Sequence, residues 1–431
     1  MYKTLRLLIC ASVLCLAQGV QAQSIGNSPY SRYGLGELNT NLGNLRTAGM
    51  GDVGVSTGNS FHSNTANPAL LYYNSITVFD VGVTGRYKTL RNATQSQRDG
   101  DGNLSYLTLG VPITKRWSSA VSLRPYSSVD YNIRNMGSLP NRQEAVVINE
   151  YSGEGGISEI YFGHGFRITN GLTIGASASY LFGTVSQESS SIVADTSISN
   201  TSLERVAYVE RTRYTDFLFR AGANYRKKVA DKAFLSAGAV YTLGVDMNAK
   251  RMSAYERRDL GDALKGSPML PDSVEASVNV PPSLNASISY DNGSNLTIGT
   301  EFMMQDWSDY RNLDGEQRMG NSYKIGLGAE YTPNPTAIDS YLKRVTYRAG
   351  LRYGQSPYVI NGENIKDMAV TGGLTLPIGR GNYFEPPYQF NIMMGYGKRG
   401  TTDNGLIAED YFQFGAGVTV NTRWFVKRRI E

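Results

Sequence analysis

The chain has 431 residues, of which 18% are charged and 11% aromatic; it contains 47 Gly, 29 Tyr, two His and two Cys. Ordinary soluble domains carry about 25% charged residues, so this composition excludes a disordered or acidic-tail protein and indicates a β-rich chain partly withdrawn from water. Lys plus Arg number 42 against 37 Asp plus Glu, a balance that excludes nucleic acid as a partner.

Lys3 and Arg6 precede an apolar run from Leu7 to Leu16, and Val20-Gln21-Ala22 ends in a small residue. This is the pattern of an export signal over residues 1–22, with the mature chain expected to start at Gln23. Cys10 and Cys15 leave with it, so disulfides, thiol catalysis and cysteine metal sites are excluded from the mature chain. Beyond residue 16 no run of 18 apolar residues occurs, which excludes a spanning helix but not a spanning barrel. Residues 23–74 are interrupted by Gly34, Gly36, Gly43, Gly49, Gly51, Gly54 and Gly58. A compact irregular segment is expected there, either a plug in a barrel mouth, where lumen water or protein satisfies its backbone, or a flexible periplasmic leader.

From residue 75 to 431 the hydrophobic period is two. Phe79, Val81, Val83 and Tyr87 share one face of the first strand, while Asp80, Thr84, Arg86 and Lys88 share the other. The split recurs at Ile160, Phe162 and Phe166; at Ile174, Tyr180 and Phe182; at Phe217, Phe219 and Tyr225; and at Phe412, Phe414 and Val418. Segments of this kind begin near 76, 103, 118, 157, 172, 207, 233, 282, 295, 322, 345, 367, 387 and 410. The expected fold class is all-β, a transmembrane antiparallel barrel of about fourteen strands behind an N-terminal plug; alternation alone leaves a soluble β-sandwich or barrel open, and the connections favour the membrane barrel. Thr169-Asn170-Gly171 and Asp291-Asn292-Gly293 read as tight turns. The polar segments near 135–156, 187–206 and 248–281 read as long loops on the opposite side. Tyr87, Tyr290, Tyr331, Tyr353 and Tyr396 fall at strand ends, as interfacial girdles require.

Three short motifs carry a resemblance. Ala66-Asn67-Pro68-Ala69 follows the Gly-rich stretch. Pro281-Pro282 precedes a strand, a turn and a second strand ending Gln305-Asp306-Trp307-Ser308-Asp309-Tyr310. Tyr347-Arg348-Ala349-Gly350-Leu351-Arg352-Tyr353 is followed by Ser356-Pro357. In this order they resemble the FadL-type outer-membrane transporters of long-chain fatty acids and hydrocarbons. The resemblance implies a fourteen-stranded barrel in the Gram-negative outer membrane, an N-terminal hatch, and a hydrophobic conduit for apolar small molecules. It also implies a lateral gap made by kinking the third strand, and Pro125, with Arg124 and Tyr126 beside it, is the expected marker. The chain departs from the pattern at Ser28 to Gly34, and at a C-terminus running past Trp424-Phe425 to Glu431 instead of ending on an aromatic residue.

Catalysis is not expected. Only His62 and His164 are available as imidazoles, and no Ser-His-carboxylate spacing occurs. His164 has outward parity, and His62 is expected to make a structural hydrogen bond. Asp99-Gly100-Asp101-Gly102-Asn103 opens like a calcium loop, but Leu104 replaces the needed glycine and Gly110 the bidentate Glu; it reads as a loop tip, and no metal or cofactor is expected. Arg86, Arg124, Asp216, Arg220, Glu301, Gln305 and Trp307 have inward parity. For ligand binding and gating the expected residues are Asn67, Pro68, Ala69, Arg124, Pro125, Arg220 and Trp307, with Arg124 or Arg220 holding a ligand carboxylate. Expected partners are outer-membrane lipids and a hydrophobic ligand. A second function class is a docking barrel for surface or secretion proteins, and a third is a general porin.

Overall fold

The computed structural model describes residues 27–139, 142–195, 204–259, 261–313, 315, 319–379 and 387–422. The expected export signal and Trp424-Phe425 lie outside the described residues. Strands β1 (Thr77–Arg91), β2 (Ser96–Thr114), β3 (Trp117–Leu139), β4 (Arg142–Arg167), β5 (Leu172–Asp195) and β6 (Glu204–Lys228) follow one another by antiparallel pairing. Strand β7 comes in two pieces, Phe234–Thr242 and Val245–Asp259, and so does β8, Met269–Val280 and Ser283–Asp291. Then come β9 (Leu296–Asp306), β10 (Asn321–Tyr331), β11 (Thr346–Ile360), β12 (Glu363–Ile378), β13 (Tyr388–Arg399) and β14 (Ala408–Thr422). Thr422 lies opposite Thr77 and Ala408 opposite Arg91, so β14 closes on β1 and the sheet is a fourteen-stranded barrel.

The alternation read from sequence is the barrel's inside-outside code. Val83, Phe162, Phe217, Leu327, Met394 and Phe414 are exposed on the outer surface, as are Tyr87, Tyr290, Tyr331, Tyr353 and Tyr396; Tyr290 and Tyr331 stand at strand ends as expected, whereas Tyr353 lies in the middle of β11. Strand residues of the opposite parity face inward and are buried, among them Ser122, Ser179, Asn224, Ser287, Asn391 and Thr419. An apolar band of this extent is unsuited to water and suited to lipid. No described helix is long and apolar enough to cross a membrane.

Two expectations are corrected. The segments expected as long loops near 135–156, 187–206 and 248–281 are mostly strand: β3 to β6 contain 23, 26, 24 and 25 residues. About 9–11 residues suffice to cross a bilayer, so these strands continue far beyond it. The outer face has left lipid there, while polar Ser190 and Glu256 are buried on the other face beside Ala145, Ala207 and Val209, so the polar-apolar period is lost although the ladder keeps the chain extended. Asp99 to Asn103 is likewise not a loop tip. It lies inside β2, with Asp101 opposite Arg86, and the turn is at Asn92–Gln95. Arg86 and Lys88 each reach Asp101, at 3.6 and 3.1 Å. These cross-strand charges hold a glycine-containing segment straight.

The tall part of the wall is separated from the rest at a matched break. Leu243-Gly244 interrupts β7 beside Pro281-Pro282 in β8; proline lacks the ladder donor, and Thr242 resumes opposite Ser283, Val245 opposite Val280. Above this level β8 has no ladder to β9, whose pairing with β8 is confined to Ser283–Asp291. The outer parts of β3 to β8 therefore stand as a curved sheet above the barrel.

Residues 27–76 occupy the lumen. A short helix, Leu45–Ala48, is closed by a reciprocal Asn44–Thr47 capping box, and a 3₁₀ turn, Pro68–Tyr73, is capped by Asn67. Their backbone lies so close to the wall that a Cβ on Gly326, Gly328 or Gly350 would collide with Met50-Gly51, and one on Gly165 or Gly175 with Pro68-Ala69. Replacing Gly350 by Val is expected to unseat the segment while the barrel still closes. The check is planar-bilayer conductance, rising at least severalfold over the parent, with the heat-modifiable gel shift of a folded barrel retained.

Candidate functional site

The luminal segment is fastened by a repeated device, one carboxylate between two cations. Glu330 of β10 accepts from Arg46 through Nε at 2.8 Å and Nη2 at 3.0 Å, and from Arg348 Nε of β11 at 2.6 Å. Asp52 lies between Lys324, at 3.2 Å, and Arg352, at 3.4 Å. Glu37 lies between Arg86 and Arg399, the latter at 2.7 Å. In all three, one member belongs to the luminal segment and the others to the wall. Buried charges are tolerated only when so compensated. Backbone amides add to this: Gly54 N and Val55 N donate to Glu301 at 2.7 and 2.9 Å.

A fourth cluster joins two residues expected from sequence. Arg124 of β3 and Arg220 of β6 converge on Glu159 of β4, which accepts Arg124 Nε at 3.0 Å and is also bonded by Arg220 Nη1. The three side chains are at most 2% exposed. Arg124 also donates to Leu42 O and Thr65 Oγ1, and Arg220 to Ser179 Oγ at 3.1 Å. An internal carboxylate thus occupies both guanidiniums. Glu159 was not among the expected residues, although its inward parity between Ile157 and Tyr161 was readable.

Asn67 is fully buried. Its Nδ2 donates to Val55 O at 2.8 Å and Ala223 O at 3.2 Å, and its Oδ1 accepts from Ala69 N. Asn67-Pro68-Ala69 is therefore a seat against β4, β5 and β6. Trp307 lies apart, in an apolar cluster with Leu35, Val129, Leu218, Val280 and Tyr310; its indole N–H has no hydrogen-bond partner among the described residues. His62 is buried beside Asp80 and Thr419, at 3.6 and 3.5 Å. Burial pushes its pKa down despite Asp80, as for a neutral structural imidazole. His164 accepts from Trp117 Nε1 at 3.2 Å among Phe162 and Phe166. Among the described residues no group of acidic and histidine side chains has metal-binding geometry.

Pro125 lies at a break in one ladder and an irregularity in the other. Toward β4 the pairing continues, with Tyr126 as an extra residue between Pro125 and Ser127. A little further along, opposite Val129 and Ser128, stand Gly155 and Gly156 at φ +107° and +149°, values that side-chain-bearing residues rarely adopt. Toward β2 the ladder ends at Leu107 opposite Leu123. Behind this opening is a cavity of about 560 Å³, bounded by Asn103–Ser105, Leu123–Ser128 and residues 37–42. Its lining mixes Leu38, Leu104, Ile157 and Met303 with Arg86, Asp52, Lys324 and Arg399.

The model of the BamG family matches residues 1–431. The chain belongs to the BamG family. No curated protein matches it by sequence. In structure this BamG-family chain is similar to the CymD monoaromatic hydrocarbon channel, at 15% identity and TM-score 0.57 over 90% of this chain and all of CymD. It is also similar to the Ralstonia pickettii toluene transporter TbuX, at 13% identity and TM-score 0.55 over 89% of this chain and all of that one. A Pseudomonas aeruginosa FadL homologue gives 15% identity and TM-score 0.58 over 89% and 99%. The FadL-type expectation thus holds for the fold, and BamG is the family.

Glu159→Gln leaves two arginines buried without a counter-charge. A loss of about 3–5 kcal/mol is expected, read as a lower urea midpoint for the heat-modifiable form. Glu37 is affected most by burial, which raises its pKa, yet Arg399 and Arg86 hold it well below 4.5. Its folded pKa is depressed, so its stabilisation is present above 4.5 and lost only as the pH falls through the lower folded value. A spin label at Thr40→Cys is therefore expected to stay immobile from pH 7 to pH 5 and loosen only well below 4.5.

Proposed function

We propose that this chain is an outer-membrane barrel that serves as a protein-docking scaffold of a barrel-assembly (BAM) complex. In this reading residues 1–22 direct export, 23–74 form the hatch and 75–431 the barrel. The observation that carries it is the hatch itself, fixed to the wall by three carboxylate-centred clusters. A conduit opened by moving the hatch would have to break each of them, leaving charges buried without partners. The cavity supports the same reading, because its charged lining is costly against an apolar solute. So do the outer parts of β3 to β8, which offer extended surface well away from lipid. Membership of the BamG family supports association with a BAM complex.

A second reading draws on the opening between β2 and β3. Fatty-acid-like molecules would pass sideways into the bilayer at Pro125, with Arg124, Arg220 and Trp307 around the path and Asn67-Pro68-Ala69 as the moving seat. Its support is the ended ladder and the likeness in fold to toluene and monoaromatic hydrocarbon channels.

Affinity purification of the full chain in mild detergent is expected to retain BAM subunits, and deletion of the gene to leave uptake of a labelled fatty acid unchanged. Purification of the barrel alone, with uptake lost on deletion, would favour the conduit.

A further inference from the structure

The opening between β2 and β3 is occupied by the chain's own N-terminal residues. Beyond Leu107 and Leu123 neither strand pairs with the other, which leaves the edge of β3 with alternating N–H and C=O groups to satisfy. Residues 27–39 satisfy them piecemeal. Asn39 donates from its backbone to Tyr126 O at 2.9 Å and from its side chain to Pro125 O at 3.1 Å. Leu38 and Glu37 pair with Ser127 and Ser128 as a two-residue strand. Ser28 N donates to Asp130 O at 2.6 Å, and Asp130 N donates back to Ser31 Oγ at 3.0 Å. At Asn132 the contact is made by the Asn27 side chain, at 2.8 and 3.2 Å. Between the two contact regions the strap turns away through Gly34 and Gly36, both at positive φ.

Two features specify what this edge accepts. Its groups are main-chain donors and acceptors at strand spacing, which an extended polypeptide satisfies and an acyl chain does not. At Ser128 the strap residue is Glu37, whose carboxylate is held by Arg86 and Arg399; if it left, two cations would remain without it. At Ser127 the strap residue is Leu38, packed against the apolar cluster of Leu35, Val129 and Ile157. The cavity behind the edge gives room for side chains.

We propose that the edge of β3 from Pro125 to Asn132 is a strand-docking site for a second polypeptide, and that residues 27–39 are its tethered occupant. The incoming segment lies antiparallel to β3, with an acidic residue opposite Ser128 and an aliphatic residue opposite Ser127. A continuous strand would replace the side-chain contacts of the strap with main-chain bonds, so exchange leaves the edge satisfied. This site does not depend on whether the barrel is a scaffold or a conduit.

The test uses the full chain in detergent micelles and, as probe, a fluorescent synthetic peptide with the sequence of residues 27–40. Since Cys10 and Cys15 are the only cysteines, the mature chain is a clean background for Leu38→Cys with Ser127→Cys, a pair directly opposite in register. By anisotropy, the peptide is expected to bind Glu37→Ala at least tenfold tighter than the parent protein. It should not bind the oxidised double-cysteine protein and should bind it again after reduction. A peptide carrying Glu37→Gln should bind at least tenfold more weakly. Equal binding to the oxidised and reduced forms, or binding to none of the proteins, would overturn the proposal. Should Glu37→Ala fail to give a heat-modifiable barrel, the oxidised and reduced forms decide the matter alone.

Discussion

A carboxylate shared between two cations is the interaction on which the lumen depends. Fourteen strands enclose more space than their own inward side chains fill, and this sequence fills it with a segment too short and too glycine-interrupted to build a core of its own. Its Arg46, Asp52 and Glu37 are placed where wall residues complete each triad. Such buried groups contribute less to net stability than to specificity. A shifted segment would leave charges uncompensated, so one seating is selected. The wall glycines have the same consequence by sterics, since Gly326, Gly328 and Gly350 admit the backbone of residues 50–51 only where a side chain is missing.

The same economy shapes the β2–β3 opening. An extra residue at Tyr126 and two positive-φ glycines in β4 change the course of the third strand, and its ladder to the second ends. An unsatisfied edge inside a membrane barrel is costly. Here residues 27–39 satisfy it in part, so a luminal segment also does the work of a wall strand. That arrangement ties the barrel's weakest wall position to the same hatch that fills the lumen.

Most of the barrel was legible because the lipid-facing code is local. Phe217, Phe219, Leu327 and Phe414 announce their faces by parity alone, and fourteen strands could be counted from such runs. Outside the bilayer that code is absent, and for this reason the extension of β3 to β8 has the sequence character of a loop. Asp99 to Asn103 failed differently: its composition is that of a turn, and only the cross-strand partners Arg86 and Lys88, far in sequence, explain its extended state. Inward parity correctly selected Arg86, Arg124, Arg220 and Glu301. Glu159 shares that inward parity and lies directly opposite Arg124 in the β3–β4 ladder, whereas Glu37 meets Arg86 only through seating of the luminal segment, which is not periodic in sequence.

Residues 27–39 complete the wall from the luminal side, held at the edge of β3. Hydrogen–deuterium exchange of the full chain in micelles reads this directly, because Ser28 and Asn39 donate their amides to β3 carbonyls. Slow exchange is expected at both, comparable with the amides of β3 from Ser118 to Leu123. Exchange at the rate of a free peptide would show that the edge is not held by this segment.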